Sequence, residues 1–507
     1  MPVLVALFAA IHLYRTPWSA SDLEIVPDSV ECAVAANRIA TLGRYDFVID
    51  GTAYPPRYPP GFSLLVLAPV YAIAPGEIGN GILAVLAFAV AAALAAYAIG
   101  RRLGGEWAGV GAAFALVLRE PFGLHARLVM SDVPACALVL VCAHLFVRME
   151  RGARGRDWWV AGGIAAAAAA IRPLSAAAIV PFTVLAIRQR VHAGSKIPAL
   201  AALAAPLALL AAATAIYNQL TFSDWLRSGY HYWCSVPCDD ATLTFGVRYL
   251  RENLVRFTHV GTPVTIAAGI AGAALFWFRR SPDFAAIVRF ALLAALPVTI
   301  VHLLYFFPSL RFHMAGLALL SILAGAAIGS LVPRAIAKRG WILAAGLAGS
   351  LLFARQPDPL PERRLNAETL ALETPRDAVI VSGIDGAYLD YFVARGTERQ
   401  IVPISRGEQY ASKMIAPHRI ARLDPPPRDA RDHRAPGLLR AGAREVFEFT
   451  ADERPDRIAE LVRAGVPVYL DGSFVPKETR VESVVAPGLA LRQVGEHSWL
   501  FRFEVAR

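Results

Sequence analysis

The chain has 507 residues, of which 56% are apolar and 18% charged, and its formal net charge is +10. Soluble globular chains contain about 45–50% apolar and about 25% charged residues, so this composition excludes an ordinary soluble protein. The positive charge does not indicate a nucleic-acid partner, because the basic residues collect in short loops between apolar blocks, which is the positive-inside pattern of membrane proteins. These loops lie at 101–102, 148–156, 188–196, 279–280 and 334–339.

The residues before 355 form about eleven apolar blocks, and a membrane-spanning helix needs about 20 mostly apolar residues, or about 17 at the short end. The blocks lie at 2–15, 78–99, 106–118, 132–147, 158–171, 173–187, 197–217, 261–278, 285–305, 313–332 and 341–354. If the N-terminus is cytoplasmic and the helices alternate, every basic loop falls inside. The loops outside are then 16–77, 119–131, 218–260 and 306–312, together with everything after 354.

Two apolar blocks need a separate interpretation. The first block lacks a basic start and an obvious small-residue cleavage site, which favours an uncleaved helix over a signal peptide. A further apolar block at 61–74 would place Arg101 and Arg102 outside if it crossed the membrane. We therefore expect residues 61–74 to form a helix that lies at the outer interface.

The first outer loop contains a predicted amphipathic helix with an acidic pair at its start. Asp28 and Glu31 are three residues apart, so a helix presents them on one face. Further along, Arg57 and Tyr58 precede the run Pro59-Pro60-Gly61. The loop therefore carries two polar motifs, separated by the predicted helix.

Polar residues also mark the outer ends of later helices. Arg127 and Asp132 lie in the second outer loop and at the helix start that follows it. Arg172 follows an alanine run and precedes a proline, and Arg311 and His313 follow an aromatic run. An arginine this close to the membrane interior is costly without a partner, which indicates a functional position.

In this order, the motifs resemble those of the GT-C type membrane glycosyltransferases, specifically the relatives of protein O-mannosyltransferases and of the lipid A aminoarabinose transferase. The sequence departs from that family at two points. Two residues separate Asp28 from Glu31, whereas many members have adjacent acidic residues, and Tyr58 lies between Arg57 and the prolines. The resemblance implies a polytopic α-helical transmembrane domain over residues 1–354 and an inverting transfer of a sugar from a polyprenyl-phosphate donor.

The resemblance also implies roles for individual residues. Asp28 is the expected catalytic base, with helix N-capping as the alternative. Glu31 and Asp132 are the other acidic candidates; a solvated position is the alternative for Glu31, and N-capping is the alternative for Asp132. Arginine forks match phosphate oxygens, and a snorkelling side chain at the interface is the alternative for Arg311. The expected substrate-binding residues are Arg57, Tyr58, Arg127, Arg172, Arg311 and His313.

The large outer loop at 218–260 contains features with open interpretations. The aromatic run at 230–233 contacts sugar or lipid, or belongs to an interfacial aromatic belt. Cys234 and Cys238 are spaced for a disulfide in an outer compartment, and a metal site there has no second ligand cluster. We expect no metal and no cofactor. Cys32, Cys136 and Cys142 are interpreted as apolar core residues.

Residues 355–507 are predicted to form an extracytoplasmic α/β domain with a partly parallel sheet. Strands are expected at 378–382, 400–404, 445–449, 467–470, 480–485 and 499–505, and helices at 386–394 and 452–464. The turn at 382–386 lacks the glycine fingerprint of a nucleotide site. No residue of this domain is expected to be catalytic.

The sequence as a whole predicts a multi-pass protein of the bacterial inner membrane with its C-terminal domain outside. Its expected partners are a polyprenyl-phosphate sugar, membrane lipid, and a lipid, glycan or protein acceptor. Two alternatives remain open from the residues alone: a transporter or flippase of a lipid-linked substrate, and an oligosaccharide ligase.

Overall fold

The computed structural model describes residues 1–13, 27–49, 52–75, 78–119, 121–193, 197–233, 241–257, 262–332, 362–382, 386–403, 454–472 and 487–506. Its contacts divide the chain into two compact units. The first unit comprises Met1–Asp22, Pro59–Tyr217 and Ala241–Asp358, and the second comprises Leu23–Tyr58, Asn218–Asp240 and Pro359–Arg507.

The first unit is helical, as its apolar blocks predict. Among the described residues, five helices are long and apolar enough to cross a membrane: Ile78–Gly104, Asp132–Glu150, Pro198–Phe222, Pro282–Leu303 and Leu310–Ser330. Shorter apolar helices are Pro2–Leu13, Ser63–Ile73, Glu106–Val117, Pro173–Gln189 and Thr262–Phe278. Further helices lie at Gly155–Ile171 and Leu250–Phe257. The predicted block at 341–354 lies outside the described residues.

The helix Ser63–Ile73 corresponds to the block that we expect at the membrane interface. At 1.5 Å per residue it is about 16 Å long, against about 30 Å for the hydrocarbon core of a bilayer. This length is shorter than the hydrocarbon core, and the interfacial position of the helix stays a prediction.

Small residues allow two of the helices to approach closely. A Cβ atom on Gly111 would lie 2.1 Å from the carbonyl oxygen of Gly325, and a Cβ atom on Gly325 would lie 2.1 Å from the carbonyl oxygen of Gly111. The helices Glu106–Val117 and Leu310–Ser330 are thus in backbone contact. Such glycine contacts are a common way for membrane helices to pack without a hydrophobic driving force.

Ion pairs join the ends of helices around the last turn of Asp132–Glu150. Arg148 Nη2 lies 2.6 Å from Asp157 Oδ1, and Arg289 donates two hydrogen bonds of 3.0 Å to the Glu150 carboxylate. A short turn connects this helix to Gly155–Ile171, which runs back beside it. The start of Asp132–Glu150 and the end of Gly155–Ile171 therefore lie close together, at the end of the helix pair away from these ion pairs.

The second unit contains a helix and a hairpin from the first loop. The helix Pro27–Leu42 is followed by strand β1, Phe47–Ile49, which pairs in antiparallel fashion with strand β2, Thr52–Tyr54. The fully buried Asp46 accepts a 2.5 Å hydrogen bond from Arg38 Nε and lies 2.6 Å from Arg44 Nη2. These ion pairs attach the start of the hairpin to the end of the helix.

The remainder of the second unit is an α/β domain with a five-stranded sheet. Its strands are β3 (Val379–Ser382), β4 (Gln400–Pro403), β5 (Val468–Asp471), β6 (Leu489–Gln493) and β7 (Leu500–Val505). Their order is β4-β3-β5-β7-β6. Strand β3 is parallel to β4 and β5, whereas β7 is antiparallel to β5 and β6. The described helices are Glu362–Glu373, Gly386–Leu389 extended by Asp390–Ala394, and Arg454–Arg463.

The partly parallel sheet confirms the predicted α/β class. Strand β6 and the helix Glu362–Glu373 were not predicted, and the strands predicted at 445–449 and 480–485 lie outside the described residues. A core of apolar side chains from both strands and helix, including Val381, Ile458, Leu470 and Phe503, stabilises the sheet. The chain is a polytopic helical membrane protein with a C-terminal α/β domain.

Candidate functional site

A buried ion pair joins two of the predicted residues in the first unit. Pro173 disfavours helical backbone at the residue before it, and Arg172 is indeed extended, with φ −141° and ψ 112°, directly after the helix that ends at Ile171. The Nη1 of Arg172 donates a hydrogen bond to Oδ1 of Asp132, which is the first residue of the helix Asp132–Glu150. The Asp132 side chain is 1% exposed and that of Arg172 is 25% exposed. The Asp132 side chain is thus enclosed, while that of Arg172 stays partly exposed.

A second arginine shares an aromatic ring with the first. The Cζ atom of Arg172 lies over the ring of Phe312 at 5.4 Å from its centroid, and that of Arg311 lies at 5.2 Å. Arg311 Nη1 also lies 3.8 Å from the sulfur of Met130, two residues before Asp132. The structure therefore brings Asp132, Arg172 and Arg311 together, as a cluster around one phenyl ring that we call the arginine cluster.

Further rings surround Phe312. The imidazole of His302 stacks on it, with 4.8 Å between centroids and 15° between planes, and Tyr305 meets it edge-on at 5.7 Å. His313 is buried and lies next to His302, with 5.8 Å between the ring centroids. Arg127 is half-buried in the turn before Asp132. His313 and Arg127 stay predictions as substrate-binding residues.

A glycine contact holds the segment before the helix Ser63–Ile73 against the turn that carries Arg172. A Cβ atom on Gly61 would lie 2.0 Å from the carbonyl oxygen of Ala170. Only a residue without a side chain permits this approach. Gly61, which the sequence places after the two prolines, thus belongs to the surroundings of the arginine cluster.

The other predicted acids lie in the second unit. Asp28 is the second residue of the helix Pro27–Leu42, so it occupies the first turn and not the N-cap. Its side chain is half-buried. The helix dipole favours a negative charge at this position. Glu31 is 2% exposed, and its Oε1 accepts a hydrogen bond from the backbone N–H of Arg57. The alternative of a solvated Glu31 is therefore wrong, because this carboxylate fixes the loop that carries Arg57.

Aromatic residues enclose Tyr58 in the same unit. The ring of Tyr230 meets it edge-on at 5.5 Å, and Tyr45 donates a 2.7 Å hydrogen bond to its carbonyl oxygen. A Cβ atom on Gly229 would lie 2.2 Å from the carbonyl oxygen of Pro56, so the turn before Tyr230 packs directly on this loop. Burial, followed by the charge of Asp28, raises the pKa of Tyr58 well above its ordinary value. Tyr58 is therefore a neutral hydrogen-bond donor at physiological pH.

The predictions on the cysteines and on metal binding can be compared with the described residues. Cys32, Cys136 and Cys142 are buried, as expected for core residues. Cys234 and Cys238 lie outside the described residues, so their disulfide stays a prediction. Within the described ranges, no group of three or more His, Cys, Asp or Glu side chains is placed to hold a metal ion.

The sequence did not identify Phe312 and His302 as parts of the site. Phe312 stands between Arg311 and His313 in the predicted motif, but an aromatic run beside an arginine is also typical of a membrane interface. His302 lies in an apolar helix, and nothing in its local sequence indicates that it stacks on a ring ten residues later. Both relationships depend on tertiary packing.

Comparison with known proteins supports the fold. Residues 59–217 match the family of dolichyl-phosphate-mannose-protein mannosyltransferases. The structure of ArnT from Cupriavidus metallidurans bound to undecaprenyl phosphate is similar to this chain, with a TM-score of 0.57 and 14% sequence identity, over 98% of this chain and 97% of that one. ArnT in the apo state gives a TM-score of 0.56 with the same identity and coverage. No curated protein matches the chain in sequence.

The matched family segment contains Asp132 and Arg172, and the similarity to ArnT extends over both units of the chain. The protein is therefore built on the fold of the GT-C type membrane glycosyltransferases.

Proposed function

We propose that this protein is an inverting glycosyltransferase that moves a sugar from a polyprenyl-phosphate donor to an acceptor at the outer face of the bacterial inner membrane. The observation that carries the proposal is the arginine cluster, in which two guanidiniums share one ring beside a buried carboxylate. The similarity to an ArnT structure bound to undecaprenyl phosphate supports a polyprenyl phosphate as the lipid.

The phosphate is the group that the arginine cluster fits. When the glycosidic bond breaks, negative charge develops on the departing phosphate, and fixed cations stabilise that charge. A guanidinium offers two parallel N–H donors that match phosphate oxygens. Arg172 is already oriented by Asp132 and keeps a quarter of its side chain exposed, so it can bind an anion without reorganising. Asp132 acts in this scheme by orienting Arg172.

The acceptor requires a base. The acceptor hydroxyl gives its proton to the carboxylate of Asp28 while its oxygen bonds to the anomeric carbon, and the bond from that carbon to the phosphate oxygen breaks with its electron pair. Asp28 is half-buried at a helix start, next to a Tyr58 phenol that remains protonated. Glu31 is engaged with the Arg57 amide, which favours a positioning role for Glu31 and leaves Asp28 as the base.

The test is transfer by the purified protein in lipid vesicles. Radiolabelled polyprenyl-phosphate sugars are supplied with a membrane extract as the source of lipid, glycan and protein acceptors. Wild type should transfer label to one acceptor class, and Asp28→Asn should lose at least about a hundredfold of the rate, the low end of general-base contributions. Asp224→Asn is the matched control, because Asp224 is an exposed carboxylate of the same unit that accepts a hydrogen bond from Leu226 N–H.

The arginine cluster is tested in the same assay with Arg311→Gln. Arg248→Gln is its control, since Arg248 also lies over an aromatic ring, Tyr249, at 5.9 Å but outside the cluster. Full activity of Asp28→Asn would remove Asp28 as the base. If wild type consumes no donor and instead carries lipid across the vesicle membrane, the transporter alternative replaces this proposal.

A further inference from the structure

The guanidiniums of Arg172 and Arg311 both lie over the ring of Phe312. Arg172 belongs to the turn after Gly155–Ile171, and Arg311 belongs to the turn Leu310–His313. Their Cζ atoms lie 5.4 and 5.2 Å from the same ring centroid. Two positive charges from separate parts of the fold therefore each lie over the same phenyl group.

We propose that Phe312 is a positioning residue, whose ring holds the guanidiniums of Arg172 and Arg311 in place to bind one phosphate group together. This inference rests on the proposed function, because it assumes that the arginine cluster binds the phosphate of a lipid. Phe312 itself donates no hydrogen bond, and it acts through the two arginines.

The physical reason is that the face of an aromatic ring is electronegative and attracts cations within about 6 Å of its centroid. Two nearby guanidiniums repel each other before an anion arrives, and an arginine side chain has many rotamers. A ring that attracts both groups reduces the repulsion and restricts the rotamers. The phosphate then binds to donors that are already arranged, which lowers the entropy cost of binding.

The ring can serve as a support because other side chains hold it. His302 stacks on it at 4.8 Å, and the edges of Tyr305 and Phe307 approach at 5.7 and 6.1 Å. His302 is itself oriented by a 3.0 Å hydrogen bond between its Nδ1 and the carbonyl oxygen of Val298, one helical turn earlier. The orientation of Phe312 is thus set by ring packing.

Asp132 acts on the two arginines in different ways. It accepts a hydrogen bond from Arg172, whereas it interacts with Arg311 through charge. The Nη1 of Arg311 also lies 3.8 Å from the sulfur of Met130, which is a weak acceptor. Without the ring, Arg172 keeps its hydrogen bond to Asp132, whereas Arg311 loses the cation–π contact with its sequence neighbour. We therefore expect loss of Phe312 to affect phosphate binding mainly through Arg311.

The test measures binding of undecaprenyl phosphate to the full chain in nanodiscs, without any sugar transfer. Phe312→Leu keeps an apolar side chain but removes the ring, and its Kd should rise about tenfold. Phe312→Tyr keeps the ring and should remain within about twofold of wild type. Phe284→Leu is the control, because Phe284 is a buried aromatic of the same unit that packs on Phe276, with 6.3 Å between the ring centroids, and not on the rings around Phe312.

A second variant separates the electrostatic role of the ring from its role in packing. Incorporation of 3,4,5-trifluorophenylalanine at position 312 keeps the shape of the ring but weakens its negative face. It should raise the Kd by several-fold while leaving the apparent Tm unchanged. This variant also decides the matter if Phe312→Leu does not fold.

The outcomes distinguish this inference from the proposed function. If wild type does not bind undecaprenyl phosphate, the phosphate step of the proposed function fails. If wild type binds it and both ring variants bind equally well, Phe312 is not a positioning residue and the proposed function still stands. In transfer assays, a positioning role should raise the KM for the donor lipid more than it lowers kcat.

Discussion

Arg172 donates a hydrogen bond to Asp132 across 40 residues of sequence, and the two partners are buried to different degrees. Asp132 opens one helix and Arg172 follows the end of the next, so the antiparallel hairpin between them brings both to the same end. The carboxylate is 1% exposed, whereas the guanidinium side chain is 25% exposed. The cost of losing each partner should therefore be unequal.

The first prediction concerns this asymmetry. Arg172→Ala removes the guanidinium that donates a hydrogen bond to a buried carboxylate and should lower the unfolding free energy by about 3 kcal/mol, the low end for breaking a buried pair. Asp132→Asn leaves an arginine whose side chain is partly exposed and an amide oxygen that can still accept, so the loss should be about 1–2 kcal/mol. Thermal unfolding in detergent measures both. An equal or larger loss for Asp132→Asn would contradict the prediction.

The double variant provides the control for this pair. If the two side chains act on stability mainly through each other, Arg172→Ala combined with Asp132→Asn should lose less than the sum of the single losses, because no unpaired carboxylate remains. Additive losses would show that the hydrogen bond contributes little to stability.

The second prediction concerns Gly61. A Cβ atom at this position would lie 2.0 Å from the carbonyl oxygen of Ala170, which is backbone and cannot move aside as a side chain can. Gly61→Ala should therefore cost about 1–3 kcal/mol through overpacking and should also reduce binding of undecaprenyl phosphate, because it displaces the turn that carries Arg172.

Gly163→Ala is the matched control for Gly61. Gly163 lies in the helix Gly155–Ile171, and a Cβ atom there meets nothing within 4 Å. Alanine in a helix interior is favoured over glycine by about 0.5–1 kcal/mol, so this variant should be as stable as wild type or more stable. If both variants behave alike, the close approach at Gly61 does not govern the site.

Only some of the features that these variants test could be predicted from the sequence. The extended Arg172 follows from the proline after it, and the helices follow from apolar length, since both signals are local. The ring shared by Arg172 and Arg311 and the stacking of His302 could not be predicted, because they depend on how separate helices pack. The burial of Glu31 was also missed. Its partner is the backbone amide of Arg57, and every residue except proline has such an amide, so the residue types do not indicate this hydrogen bond.

The third prediction concerns Glu31 and the loop that it holds. Glu31→Gln keeps an oxygen that can accept from the Arg57 N–H, so the loop should stay ordered. Glu31→Ala leaves this amide without its acceptor and should cost about 1–3 kcal/mol. Hydrogen–deuterium exchange of a peptide covering residues 52–60 should show faster exchange in Glu31→Ala alone. Equal protection in all three proteins would mean that the hydrogen bond does not hold the loop.

The last prediction concerns the pH dependence that Tyr58 contributes. An ordinary tyrosine has a pKa of about 10, and burial together with Asp28 raises the pKa of Tyr58 well above that value. Above pH 10 the unfolded chain therefore releases a proton that the folded chain retains, which favours unfolding. The stability from the raised pKa is fully present below about pH 10 and is lost as the pH rises further. Apparent Tm values measured from pH 8 to 11 should run parallel for wild type and Tyr58→Phe up to about pH 9.5, above which wild type should fall more steeply. Parallel curves up to pH 11 would show that the phenol ionises as freely in the folded protein as in the unfolded chain.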